Sequence, residues 1–218
     1  MLIDLHTHSY PMSDDGFMSV DEAIEGAKSV GLDGVCLTDH DAFWSGEQTR
    51  ELSLRHDFLV LPGSEINTDA GHVLTFGLQR YEFGMHKPEF LRACADRCGG
   101  VLIAAHPYRR RFLEEPGRDP AARAGMLERA AADPFFGLCE AIEGLNGRGS
   151  AEQNRYSADL GASLALPATA GSDAHRIAQL GTAATEFHGK IEGVADLIRL
   201  LKSGQYRPVD LRAGVPGS

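Results

Sequence analysis

The 218-residue sequence predicts an α/β fold, a distorted barrel of largely parallel strands wrapped by helices, and three features of the chain predict it. Short β-branched runs alternate with amphipathic helical stretches, the pattern of a parallel sheet joined by helical crossovers. Most of these segments are separated by brief turns that carry glycine or aspartate. One pair of strands has no helix between its members, so at least one pairing is expected to be antiparallel or irregular and a regular eight-fold barrel is disfavoured.

Residues 2–6 form the first of seven expected strands and deliver His6, with His8 just beyond. A helix near 20–30 leads to the second strand, 34–38, which runs into Thr38-Asp39-His40-Asp41. After a helix near 47–55, an apolar third strand at 58–61 runs into Gly63-Ser64-Glu65. Residues 66–71 read only as a turn before the fourth strand, 72–77, which opens on His72 instead of closing on it. The helix near 87–98 places Cys94 and Cys98 four apart, a spacing that suits packing. The fifth strand, 101–105, stops at His106 because Pro107 biases the residue before it away from helical geometry. A helix near 121–132, a strand at 138–143, a helix near 151–161 and a strand at 166–170 follow. The seventh strand runs into Gly171-Ser172-Asp173-Ala174-His175, and a helix near 194–202 completes the pattern.

The length fits one domain, 1–212, with 213–218 as a loose C-terminal tail. No stretch approaches the roughly 18 unbroken apolar residues of a membrane helix, so no membrane partner is expected. The opening residues resemble neither a secretory signal nor a transit peptide. Cys36, Cys94, Cys98 and Cys139 lie in apolar or helical contexts without CxxC spacing, which argues for reduced, mostly buried thiols and a cytoplasmic location. A formal net charge of −10 weighs against long nucleic acid as a partner. A small anionic substrate is compatible with that charge only where bound cations or local arginines reverse the field. Oligomeric state is not legible in the sequence.

Polar residues unwelcome in a core recur at the strand ends, which in a barrel of parallel strands converge on the face where such barrels build active sites. His6 and His8 are two apart, so on an extended strand both rings point one way, roughly 7 Å between Cα atoms. That pair alone is a weak signal, but Asp173 and His175 repeat the spacing near the other end of the chain. Imidazole and carboxylate together suit Zn, Mn or Fe, and a shared carboxylate can bridge two ions. Glu65 is the natural bridge, since a carboxylate closing an apolar strand is costly to bury without a cation. His106, after five apolar residues, reads equally well as a ligand or as a hydrogen-bonded core histidine. His56, His86 and His188 have no carboxylate or strand-end context and are expected at the surface.

Taken together, Asp4-Leu5-His6-Thr7-His8, Gly31-Leu32-Asp33-Gly34, Leu37-Thr38-Asp39-His40-Asp41, Gly63-Ser64-Glu65, Ala105-His106-Pro107, Ile142-Glu143-Gly144-Leu145-Asn146 and Gly171-Ser172-Asp173-Ala174-His175 resemble the polymerase and histidinol phosphatase (PHP) domain family. The resemblance implies a distorted seven-stranded (β/α)7 TIM-like barrel of the PHP type. It also implies two or three divalent metal ions. His6, His8, Glu65 and Asp173 would surround one, Glu65, His72 and His106 a second, and Asp15, His40 and His175 a third. Every expected ligand position is filled, which argues against a metal-free member. The loop after His8 is slightly longer here than in compact members, so Asp15, directly before Gly16, is taken as the ligand and Asp14 as the fallback.

The expected activity is metal-dependent hydrolysis of a small phosphate ester by a metal-bridging hydroxide, with Glu65, Asp173 and His175 as catalytic residues. Arginine pairs bidentately with phosphate oxygens, so Arg109 and Arg176 are expected to grip the substrate, with Asn146 and Arg148 lining the pocket; Arg110 and Arg111 extend the same basic run. Alternatives are a 3'-5' exonuclease-like phosphodiesterase on short oligonucleotides, a non-catalytic metal-binding module, and a carbon–nitrogen hydrolase, because a fold does not fix a substrate.

Overall fold

The computed structural model describes residues 1–110 and 120–212. The expected tail and Arg111 lie outside the described residues, as does the side chain of Arg110. In chain order the first elements are β1 (Leu2–Thr7), α1 (Val20–Ser29), β2 (Gly34–Leu37), α2 (Gly46–His56) and β3 (Leu59–Pro62). A hairpin of β4 (Ser64–Thr68) and β5 (Gly71–Phe76) follows, then α3 (Pro88–Cys98), β6 (Val101–Ala104), the short α4 (Pro107–Arg110) and α5 (Pro120–Ala131). The remainder comprises β7 (Ala141–Asn146), α6 (Ala151–Leu164), β8 (Ala168–Gly171), β9 (Ala183–Phe187), α7 (Val194–Ser203) and β10 (Tyr206–Asp210).

Local chemistry sets the helix ends. Ser19, Ser45 and Ser150 each start a helix with a capping box, exchanging hydrogen bonds with Glu22, Gln48 and Gln153 three residues on. Pro88 opens α3, and Gly99 closes it in the left-handed conformation that glycine adopts without strain.

The strands form two five-stranded sheets, ordered β10-β9-β1-β2-β3 and β4-β5-β6-β7-β8. β1, β2 and β3 run parallel, as do β6, β7 and β8. The pairs β1–β9, β9–β10, β4–β5 and β5–β6 are antiparallel. This corrects the seven-stranded TIM-like barrel: among the described residues no continuous ladder closes a barrel. The sheets meet through isolated parallel bridges, Thr7 with Ala174 and His40 with Glu65.

Three strands were not expected. Residues 66–71 are not merely a turn, because Ser64–Thr68 pairs residue for residue with β5 and turns back across Asp69 and Ala70. β9 is short and alanine-rich, and β10 contains Pro208, which the sheet tolerates because β10 is an outermost strand. The expected strand at 138–143 begins later, at Ala141, after a 3-10 turn at Pro134–Leu138.

The main core sits among β1, β5, β6 and α7, where Ile3, Leu5, Leu74, Phe76, Val101, Ile103 and Leu197 are buried together. A second cluster, including Ile66, Val73, Leu91, Leu102, Phe136 and Ile142, fills the space around α3. All four cysteines are free thiols, Cys98 exposed and the others buried. Among the described residues no helix is long and apolar enough to cross a membrane.

Candidate metal centre

Strand direction gathers the polar residues at one rim. β1, β2, β6 and β8 carry His6 and His8, His40, His106, and Asp173 and His175 at or just past their C-terminal ends. β4 is antiparallel to β5, which is antiparallel to β6, so β4 brings Glu65 toward that rim while β5 starts there. That reversal explains why His72 stands at the opening of its strand.

Glu65 lies at the centre, 1% exposed. Its Oε2 is 3.2 Å from Nε2 of both His6 and His8 and 3.3 Å from Nδ1 of His40. Its Oε1 is 2.8 Å from Nδ1 of His72 and 2.9 Å from Nε2 of His106. Oδ1 of Asp173 stands 3.7 and 3.5 Å from Nε2 of His6 and His8. Oδ2 of Asp15 is 2.9 Å from Nε2 of His175 and 3.6 Å from Nε2 of His40. Among the described residues, four overlapping sets each bring their donor atoms within 4.8 Å of one another: His8, Asp15, His40 and His175; His6, His106 and Asp173; His6, His8 and Glu65; and His40, Glu65 and His72. The nine residues expected as ligands therefore lie together, with Asp15 as the carboxylate of the outer set.

The donor set fits divalent cations. Nε2 of His6 and Nε2 of His8 are only 3.1 Å apart and both face carboxylates, an arrangement that needs either a shared proton or an ion between them. Nδ1 of His106 is buried with no hydrogen-bond partner among the described residues. Without metal, protons take up the charge balance. Burial alone would raise Glu65, but the charge of His6 and hydrogen bonds from His106, His6 and His72 hold it well below the usual carboxylate range. Asp173 is likewise held well down, against its burial, by His6, His8 and Arg109. His8 resists the lowering effect of burial through Asp173 and Glu65 and rises to about 9, whereas burial pushes His40 down to about 4. Cations bound here would displace those protons.

Backbone and side-chain contacts around the ligands brace them. His106 and Asp173 have φ of +24° and +54°, strained for non-glycine residues and held by bonds from His106 N to Glu143 Oε2 (2.8 Å) and from Asp173 N to His6 O (2.8 Å). Ser13 Oγ accepts from His40 N at 2.9 Å and lies 3.2 Å from His8 Nδ1. Asp39 accepts from Ser9 N, Ser9 Oγ and Trp44 Nε1. Asp4, fully buried and raised to about 6 by that burial, accepts from the backbone of His6 and Ser172 and so clips β1 to the end of β8. None of Asp4, Ser13, Asp39 and Glu143 was expected to have a site role. The available signal was acidic residues inside or beside apolar strands, where burial demands partners.

Six of the nine expected ligands, all but the buried His6, His8 and His106, line a cavity of about 510 Å³, whose other lining residues among those described are Arg109 and Arg148. Arg109 donates to Asp173 Oδ2 and to Asn146 Oδ1. Nη1 of Arg148 lies 3.0 and 3.2 Å from the two ring nitrogens of His175 and 3.6 Å from Asp173 Oδ1. Asn146 does not line the cavity; it is buried behind it, donating to Glu143 and Asp173. Arg176 also departs from expectation, being exposed and stacked 3.8 Å from the ring centroid of Phe17 instead of facing the cavity. His188 is exposed and His86 partly so. His56 corrects the expectation of a histidine without carboxylate context: its ring is 2.6 Å from Glu25 Oε1 and 2.7 Å from Asp21 Oδ1, both on α1.

A cluster of imidazoles and carboxylates sharing one bridging acid, at the strand-end rim of an α/β frame, defines a metal-dependent hydrolase. The PHP domain model matches residues 4–108 and the PHP-associated model matches residues 151–206. A probable histidinol-phosphatase of Thermotoga maritima is 24% identical over 239 residues, covering 96% of each chain. An uncharacterized protein of Methanocaldococcus jannaschii is 30% identical over 118 residues, covering 50% of this chain and 68% of that one. The chain belongs to the PHP domain family. Its fold is similar to that of PsfC from Pseudomonas syringae, with a TM-score of 0.65 and 22% identity over 97% of this chain and 91% of that one. A two-domain protein of Bacteroides vulgatus containing a predicted PHP-like metal-dependent phosphoesterase gives a TM-score of 0.66 at 18% identity, over 97% of this chain and 65% of that one.

Proposed function

We propose that this chain hydrolyses a small phosphate ester, using two or three divalent cations, Mn, Zn or Fe, held by His6, His8, Asp15, His40, Glu65, His72, His106, Asp173 and His175. The observation that carries the reading is Glu65, whose two oxygens each face a separate set of imidazoles inside one cavity. Cations bound there supply Lewis acidity and an activated water near neutral pH. The protein's own groups do the rest. Arg109 and Arg148 present guanidinium donors to phosphate oxygens from the cavity wall, a match of geometry as well as charge. Asp173 orients Arg109 and Arg148 as well as His6 and His8. His175 stands on the cavity wall, with Nε2 2.9 Å from Asp15 Oδ2.

The name of the Thermotoga relative favours a monoester, and a cavity of about 510 Å³ has the volume of a small-molecule site. The test uses purified protein, manganese, and chromogenic phosphate mono- and diesters. The unaltered protein should turn over the monoester faster than the diester, and chelation should stop it. Glu65→Ala should lower both the bound metal, measured by equilibrium dialysis, and the turnover to background. Full turnover by Glu65→Ala would refute the reading, while a preference for short oligonucleotides would replace it with end-trimming of nucleic acid.

A further inference from the structure

Glu143 is the third residue of β7, and its side chain is fully covered. Its Oε1 stands 2.9 Å from Nδ1 of His6. Its Oε2 accepts from the backbone N–H of His106 at 2.8 Å and from Nδ2 of Asn146 at 3.0 Å. It belongs to none of the converging donor sets, because it meets the His6 ring at Nδ1 while Glu65, His8 and Asp173 meet it at Nε2. We infer that Glu143 is the positioning residue of the metal centre, fixing the His6 tautomer and the His106 backbone together so that their Nε2 atoms face the cation sites.

The chemistry is that of an acceptor placed against a ring with two distinct nitrogens. A carboxylate only accepts, so the hydrogen of a singly protonated His6 resides on Nδ1, which leaves Nε2 with a lone pair for a cation. The same carboxylate, through Oε2, ties down the strained turn at His106. One buried acid thus couples two ligands from different strands, β1 and β6. This inference rests on His6 and His106 being ligands, as proposed above.

Glu143→Gln makes the inference sharp, since an amide of the same shape has one accepting and one donating end. The Oε2 position faces two donors and the Oε1 position one, so the amide oxygen settles toward His106 N and Asn146. The amide N–H then points at Nδ1 of His6, which must accept, and the ring hydrogen moves to Nε2 on the ligand side. Removing such a partner of a metal-ligating histidine costs about 10- to 100-fold in metal affinity.

The experiment loads zinc, a diamagnetic probe, and reads two quantities: affinity and stoichiometry by equilibrium dialysis, and imidazole nitrogen–proton correlations by NMR. In the unaltered protein His6 should show an Nδ1–H resonance in the zinc-loaded state. Glu143→Gln should lose that resonance and bind zinc about 10- to 100-fold more weakly at the sites containing His6, with the set of Asp15, His40 and His175 spared. Glu143→Asp, which keeps an acceptor-only group, should restore the Nδ1–H resonance. A residue that serves only packing would lower thermal stability in both variants while leaving the His6 resonance in place, and that result would overturn the inference. If the unaltered protein binds no zinc, manganese or iron, the hydrolase reading fails by itself; the His6 nitrogen that carries the hydrogen, compared at high pH between unaltered protein and Glu143→Gln, then decides the Glu143 assignment.

Discussion

Gly171→Ala tests how closely β8 approaches β1 beneath the metal centre. A Cβ added at Gly171 would stand 2.5 Å from Cβ of His6, 2.9 Å from His6 N and 3.2 Å from Oε1 of Glu143. Carbon atoms pack best about 3.5–4.0 Å apart, so about 1 Å of overlap with a buried side chain and backbone must be relieved by moving one strand. The backbone at Gly171 is outside the left-handed region, so alanine meets no conformational barrier and the penalty is one of packing. Overpacking of this kind costs about 1–3 kcal/mol. For a chain of this length each kcal/mol lowers Tm by about 2–4 °C, so a fall of about 2–12 °C is expected. Displacing His6 by about 1 Å should also cost on the order of 100-fold in turnover. Gly46→Ala is the control: nothing lies within 4 Å of its added Cβ at the first residue of α2, and the loss of unfolded-state freedom should stabilise the chain by about 0.4–1 kcal/mol. Thermal melts and metal titrations of both variants provide the readout. Equal Tm and equal metal affinity for Gly171→Ala and the unaltered chain would show that the two strands are not in the contact described.

Two further outcomes are expected. Arg148→Ala removes one of the two guanidinium groups that line the cavity among the described residues; a charged hydrogen bond of about 1.5–3 kcal/mol predicts a rise in KM for a phosphomonoester of about 10- to 100-fold, and an unaltered KM would exclude Arg148 from substrate contact. His56 is raised above its ordinary pKa first by the hydrogen bond to Glu25, against burial, and then by Asp21, so its stabilising contribution is full below about pH 6.5 and fades as pH rises through the folded-state value. His56→Gln should therefore lower Tm most near pH 6 and progressively less toward pH 9, and a gap that widens with pH would contradict the pairing.

The parts of the site written in local spacing were legible from the sequence. His6 and His8 share a face because a strand repeats every two residues, and Asp173 and His175 follow the same spacing beyond β8. Glu65 stood out as an acid after an apolar run. What depended on pairing between distant segments was not legible. The alternation of Ser64–Thr68 is too short and polar to outweigh its turn-like flanks, and only its register with β5 makes it a strand. Missing that hairpin concealed the division into two sheets. Glu143 lay within a stretch already noted, Ile142-Glu143-Gly144-Leu145-Asn146, yet its role became visible only once β7 lay beside β6 and Oε1 met His6. Arg176 was expected at the cavity because it follows His175, but one residue further along the chain turns it outward onto Phe17. His56 meets its acids across 31 and 35 residues, a distance no spacing rule spans.

The bridges Thr7–Ala174 and His40–Glu65 join the two halves of the molecule at positions interleaved with the ligands themselves. Cations bound between those residues would act as rivets across a seam. Architecture and chemistry thus draw on the same few atoms, so re-engineering the centre for a different reaction also means rebuilding the joint that keeps the halves aligned.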